Sequence, residues 1–196
     1  QSVLDAVLED LGVDGLELSV TFCYPRTGEI YSFSGDVWYD GLSLYMLPLM
    51  MMLVTSEDAE ALETLDNGVG INTTLDNCLL NSGHRYATSV REVLFPSWLD
   101  FRRQEAVLSA FDPDELPLEY LETSTYSSAI MMNFLELLYF DPDTYAPILE
   151  RMLEAYPDEG FRSGELACTY PVAQKYTVDS GLGHTVGIVY TEHPFL

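Results

Sequence analysis

The run "LSLYMLPLMMMLV", residues 42–54, is apolar around the whole circumference of a helix except for Ser43. A helix with no polar face has nothing to offer water, so other elements must wrap it on all sides. A bilayer span needs about 20 apolar residues, and this run is shorter and carries Pro48. It reads as a central core helix, entered through the turn residues Asp40 and Gly41, with one hydroxyl at its mouth.

The flanking sequence supplies the wrapping. "SVLDAVLEDLG" has apolar residues at Val3, Leu4, Val7, Leu8 and Leu11 and closes on Gly12, which predicts a first helix. "LELSVTFCYPRTGEIYSFSGD" alternates on both sides of "PRTGE", a β-hairpin turning at Pro25 to Gly28. "TSEDAEALETL" either extends the core helix or starts another one, capped by Thr55 or Ser56. "LDNCLLNSGHRYATSVREVL" reads as helix, Ser-Gly-His interruption, helix, and residues 95–125 as short helical pieces mixed with loop. "YSSAIMMNFLELLYF" and "DTYAPILERMLEAY" are amphipathic helices, and the runs "YPVAQKYTV" and "HTVGIVYT", joined by "DSGLG", are strands. The expectation is one α+β domain over 1–196, its antiparallel sheet built from both termini and flanked by helices.

Charge narrows the partners. Eight Lys and Arg against 32 Asp and Glu leave a formal charge of -24, which repels phosphate backbones and anionic headgroups, so nucleic acid is excluded as a partner. The acids are dispersed, as on a solvated surface, and no segment reads as a membrane span. Cys23, Cys78 and Cys168 have no CxxC spacing and are odd in number, which argues against a zinc site and a dense disulfide framework. One bridge with one free thiol stays open. His184 and His193 lack metal-ligand spacing, and no metal or cofactor is expected.

Three short motifs occur in a telling order: Ser43 opening a buried helix, "NSGH" at 81–84 on an inter-helix turn, and "VAQKYT" at 172–177 before "HTVGIVY". In this the chain resembles the class A β-lactamase-like serine hydrolases and penicillin-binding proteins, whose signatures are S-x-x-K, S-D-N and K-T-G. The resemblance runs from the first helix to the strand at Val186 to Tyr190, and implies a β-lactamase/transpeptidase-like fold. It also implies Ser43 as nucleophile, Ser82 as proton relay, and Lys175, the only lysine in the chain, as an anchor for a substrate carboxylate and an aid to proton transfer. The location it implies is extracytoplasmic or at the cell surface. A last strand and closing helix should follow "HPFL" in such a fold, so a partner or a missing segment would cover the C-terminal sheet edge.

The departures from the motifs matter as much. Met46 stands at the S-x-x-K lysine position, and a thioether takes no proton; as a residue it reads as core filler. His84 replaces the Asn that would contact a substrate amide and is a candidate substitute base, or else a cap. Tyr176 and Thr177 replace the Thr and Gly of K-T-G, and a β-branched residue in place of Gly narrows the approach of substrate backbone. Lys175 has a second reading, as the partner of one of the many acids. Asp112 and Glu115 in "FDPDELP" are candidates for a base that activates water. Two functions follow: an impaired serine acyl-hydrolase acting on a β-lactam or peptide-like amide, or an inactive relative that binds peptide or cell-wall fragments.

Overall fold

The computed structural model describes Ala6, Glu9, Gly12 and residues 18–56, 70–163 and 169–196. The expected first helix falls almost wholly outside these, as do most of "TSEDAEALETL" and Cys168. Gly12 has φ 67° and its N–H donates to the Glu9 carbonyl.

Two hairpins form where alternation places them. Strands β1 (Val20–Tyr24) and β2 (Glu29–Phe33) pair in the register Val20↔Phe33 to Tyr24↔Glu29. The eight-residue strands β5 (Val172–Asp179) and β6 (Leu182–Val189) pair from Val172↔Val189 to Asp179↔Leu182. Their link, Ser180 and Gly181, takes φ of 50° and 86°, the double left-handed geometry whose twist suits a two-residue hairpin turn. A third, two-residue ladder joins β3 (Tyr39–Asp40) to β4 (Thr125–Tyr126).

Between the hairpins lie seven described α-helices: α1 (Met46–Thr55), α2 (Ile71–Leu80), α3 (His84–Leu94), α4 (Trp98–Leu108), α5 (Leu118–Glu122), α6 (Ser128–Phe140) and α7 (Ala146–Glu154). Helix α1 is the core helix: Met46, Leu47, Leu49, Met50, Met51 and Leu53 are fully buried, and α2, α3, α4 and α7 pack around it. Each such side chain contributes about 1.5–3 kcal/mol on burial. Pro48 falls in the first turn, where its missing N–H costs no helical hydrogen bond. Helix α6, capped by Ser127, packs against both β1 and β6. The two hairpins share this helix but do not pair with each other directly.

The stretch 95–125 is more regular than its sequence suggests, since α4 runs for 11 residues and is capped by Ser97, whose Oγ accepts from Asp100 N–H at 3.1 Å. Its period was hidden because its buried face carries charge. Arg102 and Glu105 are fully buried and ion-paired. Glu105 also accepts from Tyr126 and, at 2.9 Å, from Tyr120, while Arg102 donates to the carbonyls of Tyr120 and Thr125, each at 2.8 Å. Every charge in the cluster is thus matched by a partner, without which burial would be prohibitive.

Candidate active site

Ser43 lies in the turn that feeds α1, three residues ahead of the first helical residue, and is 2% exposed. Its carbonyl accepts the Met46 N–H at 3.2 Å, and Leu44 N–H closes on Gly41 O at 2.8 Å. The turn is pinned from outside. Asp40 Oδ1 accepts from Leu42 N–H at 2.9 Å and from Ser124 Oγ at 3.2 Å, and Gly41 N–H donates to Ser124 O at 2.9 Å. Tyr126 lies flush on Gly41: a Cβ there would come within 2.2 Å of its ring. The buried Arg102–Glu105 cluster holds Tyr126, and so it indirectly sets the approach to Ser43.

Ser43, Ser82 and Lys175 converge. Ser43 Oγ donates to Ser82 Oγ at 3.0 Å, and Lys175 Nζ donates to the same Ser82 oxygen at 2.6 Å. Tyr156 completes the cluster, with its hydroxyl 2.8 Å from Ser82 Oγ and 3.4 Å from Lys175 Nζ. A serine hydroxyl has one proton and two lone pairs. With both lone pairs taken by Ser43 and the ammonium, the Ser82 proton is left for Tyr156.

Lys175 is fully buried, and no carboxylate pairs with it among the described residues. Burial pulls its ammonium down from the ordinary 10.5 to about 8. The nearby Cys78 cannot counter this at neutral pH, because its own burial pushes that thiol up to about 12. The reading of Lys175 as the partner of a nearby acid is corrected: its partners are hydroxyls.

The backbone around the cluster is strained. Leu42, Ser82 and Tyr156 have φ of 52°, 51° and 49°, a left-handed conformation that costs a non-glycine residue about 1–2 kcal/mol. Ser82 and Tyr156 carry this cost within the hydroxyl cluster, and Leu42 carries it next to Ser43. Ser82 sits in it although Gly83 is the next residue, whose N–H folds back onto Asn77 O at 2.8 Å.

Solved structures match the fold. An ancestral (GNCA) class A β-lactamase superposes with a TM-score of 0.75 at 15% identity, covering 99% of this chain and 87% of that one. A β-lactamase from Chitinophaga pinensis gives 0.71 at 12% identity over 90% and 81%, and one from Desulfarculus baarsii 0.72 at 13% over 98% and 84%. The fold is β-lactamase-like. No family model and no curated protein matches the sequence, so the likeness lies in the fold.

Within the β-lactamase-like fold the other motif residues take varied places. Met46 is fully buried in the core. His84 opens α3, exposed, with Nδ1 3.1 Å from Tyr45 Oη and its ring against the Tyr45 ring. Tyr176 packs edge-on against Tyr156, and Thr177 pairs with His184 in the ladder. His184 Nε2 lies 2.6 Å from Asp40 O, tying β6 to the turn before Ser43. Asp112 and Glu115 are exposed and bonded within their own turn, where Asp112 accepts from the N–H groups of Asp114 and Glu115. Cys23 and Cys78 are free thiols, so no bridge joins those two. Among the described residues no three His, Cys, Asp or Glu cluster as a metal ion requires, and no helix is long and apolar enough to cross a membrane.

Tyr156 is the member the sequence reading missed, because "DTYAPILERMLEAY" runs through it as helix. Helix α7 in fact ends at Glu154. Pro157 was the available signal, since a residue before proline is driven out of the right-handed helical region. Gln174, beside Lys175, fixes the released loop by donating to the carbonyls of Tyr156 and Glu159, both at 3.0 Å.

Proposed function

We propose that the protein is a slow serine acyl-transfer enzyme acting on a β-lactam or peptide-like amide, with Ser43 as nucleophile, Ser82 as relay and Lys175 as base. The observation that carries this reading is the continuous chain from Ser43 Oγ to Ser82 Oγ to Lys175 Nζ, with links of 3.0 and 2.6 Å. It supports a role for Lys175 that the S-x-x-K lysine would otherwise fill.

The neutral amine of Lys175 accepts the Ser82 proton as Ser82 takes the proton of Ser43. Ser43 Oγ adds to the carbonyl carbon, whose oxygen becomes an oxyanion. The Ser43 N–H, which donates to no backbone carbonyl among the described residues, is available to receive it. Collapse of the intermediate breaks the C–N bond, and the departing nitrogen regains a proton from Lys175 through Ser82. Ser43 is left acylated. Water must then add to this ester and release Ser43.

The burial of Met46 favours a second reading, an inactive binding module. Fluorescent penicillin decides between them. Covalent labelling that accumulates over minutes to hours and vanishes in Ser43→Ala supports the enzyme. Reversible binding without a covalent adduct rejects it.

A further inference from the structure

The base and the relay make opposite demands on one hydroxyl. While Lys175 is an ammonium, Ser82 Oγ accepts from Lys175 at 2.6 Å and from Ser43 at 3.0 Å, so its own proton points to Tyr156 Oη, 2.8 Å away. Once Lys175 is a free amine, its lone pair needs that same proton, because a relay that points elsewhere passes nothing from Ser43 to the base. We infer that Tyr156 is the positioning residue for this step: its hydroxyl accepts from Ser82 while Lys175 is charged and donates to Ser82 when Lys175 is neutral, which turns the Ser82 proton toward the amine. The inference rests on the proposed role of Lys175 as base.

The surroundings let this reversal happen by rotation of protons alone. The Tyr156 ring stands edge-on to the Tyr176 ring, with centroids 5.6 Å apart, and Gln174 holds the Tyr156 carbonyl at 3.0 Å. The hydroxyl oxygen therefore keeps its place. With the ammonium present, Tyr156 Oη accepts from Ser82 and, at 3.4 Å, from Lys175, and its own proton turns to solvent, since Tyr156 is half-buried. With the amine present, Ser82 Oγ fills its two lone pairs from Ser43 and Tyr156 and donates to Lys175. Both states are fully bonded, and only a group that both donates and accepts can serve in each.

The other polar groups near Lys175 are committed elsewhere. The Cys78 thiol of α2 is pushed up to about 12 by burial and stays neutral. On α7, which packs against β5, Arg151 is paired with Asp76, and Glu150 and Glu154 are exposed. Residues 160–162 also pack on β5, and there Arg162 donates to the carbonyls of Leu153 and Ala155. Across the ladder Lys175 faces the apolar Val186, and His184 of the same strand is bonded to Asp40 O.

The test is an NMR titration of the 196-residue protein labelled with carbon-13 at lysine Cε and tyrosine Cζ. Lys175 is the only lysine, so it gives a single Cε signal, and the Tyr156 signal is the one lost in Tyr156→Phe. In the parent protein the Tyr156 Cζ signal should move downfield as its hydroxyl becomes a donor, in step with the Lys175 signal and with the same midpoint near 8. A second variant replaces Tyr156 with O-methyltyrosine, which accepts but cannot donate. It leaves the charged state bonded and strips the neutral one, so the Lys175 midpoint should rise by about 0.5 or more. Tyr156→Phe strands the Ser82 proton of the charged state, a dearer loss than an empty lone pair, and the midpoint should fall. A Tyr156 signal that stays constant while Lys175 titrates, a Lys175 signal that does not titrate, or two variants that shift the midpoint in the same direction or not at all overturns the inference. No substrate enters these measurements, so their outcome is separate from that of penicillin labelling, which tests the acyl-transfer reading itself.

Discussion

Lys175 Nζ donates to Ser82 Oγ at 2.6 Å from a position with no solvent exposure and, among the described residues, no carboxylate paired with it. The ammonium is costly there, and the neutral amine is correspondingly easy to form.

Acylation should follow the titration of that amine. Labelling by fluorescent penicillin is expected to rise with pH around a midpoint of about 8, because only neutral Lys175 accepts a proton. Lys175→Met should slow labelling by about 10²–10⁴-fold and abolish the rise. A flat profile between pH 6 and 9 for the parent protein would remove Lys175 as base.

Stability should move the same way. Between about 8 and 10.5 the unfolded chain holds a proton that the folded chain has lost, so folding stability rises with pH across that window and is lowest below it. Lys175→Met is expected to melt no lower than the parent at pH 6.5, and its relative advantage should shrink as the pH passes through 8. Thermal unfolding over this range checks it.

Tyr156→Phe deletes the hydroxyl that steadies Ser82 and Lys175 but keeps the ring. One neutral hydrogen bond is worth about 1 kcal/mol of folding stability, so the melting temperature should fall by about 2–4 °C, and a loss of the same size in the acylation step slows labelling about fivefold. An unchanged rate would assign Tyr156 to packing alone.

Gly41→Ala drives a methyl group into the Tyr126 ring and the Ser124 carbonyl, neither of which can retreat, since Tyr126 is tied to Glu105. Overpacking of this kind costs about 1–3 kcal/mol, and displacement of the Ser43 turn should lower labelling as well. Urea titration and labelling of the same sample measure both effects.

Met46→Lys returns the amine of the S-x-x-K pattern to a fully buried position. It should lower the melting temperature, because a desolvated amine replaces a well-packed thioether, and raise labelling by supplying a second base. Loss of stability with no gain in labelling would mean the new amine does not reach Ser43.

Much of this was legible in the residues themselves. Period-2 alternation on either side of Pro25–Gly28 and of Ser180–Gly181 marks the two hairpins, because side chains on a strand must face core and solvent in turn. The unbroken apolar run of 42–54 marks the buried helix for a similar reason. Where the burial pattern included charge the reading weakened: α4 hides its period because Arg102 and Glu105, polar by type, sit inside. Their burial depends on Tyr120 and Tyr126, which no local rule connects to them.

The sequence by itself determined which segments alternate, which are apolar throughout, and that a single lysine stands among 32 acids. Only the tertiary structure decided that this lysine meets hydroxyls instead of acids and that Tyr156 joins them. Local periodicity follows from each residue's own preference for water or core. The distance from Lys175 to Ser82, 93 positions apart in the chain, follows from how several elements pack at once.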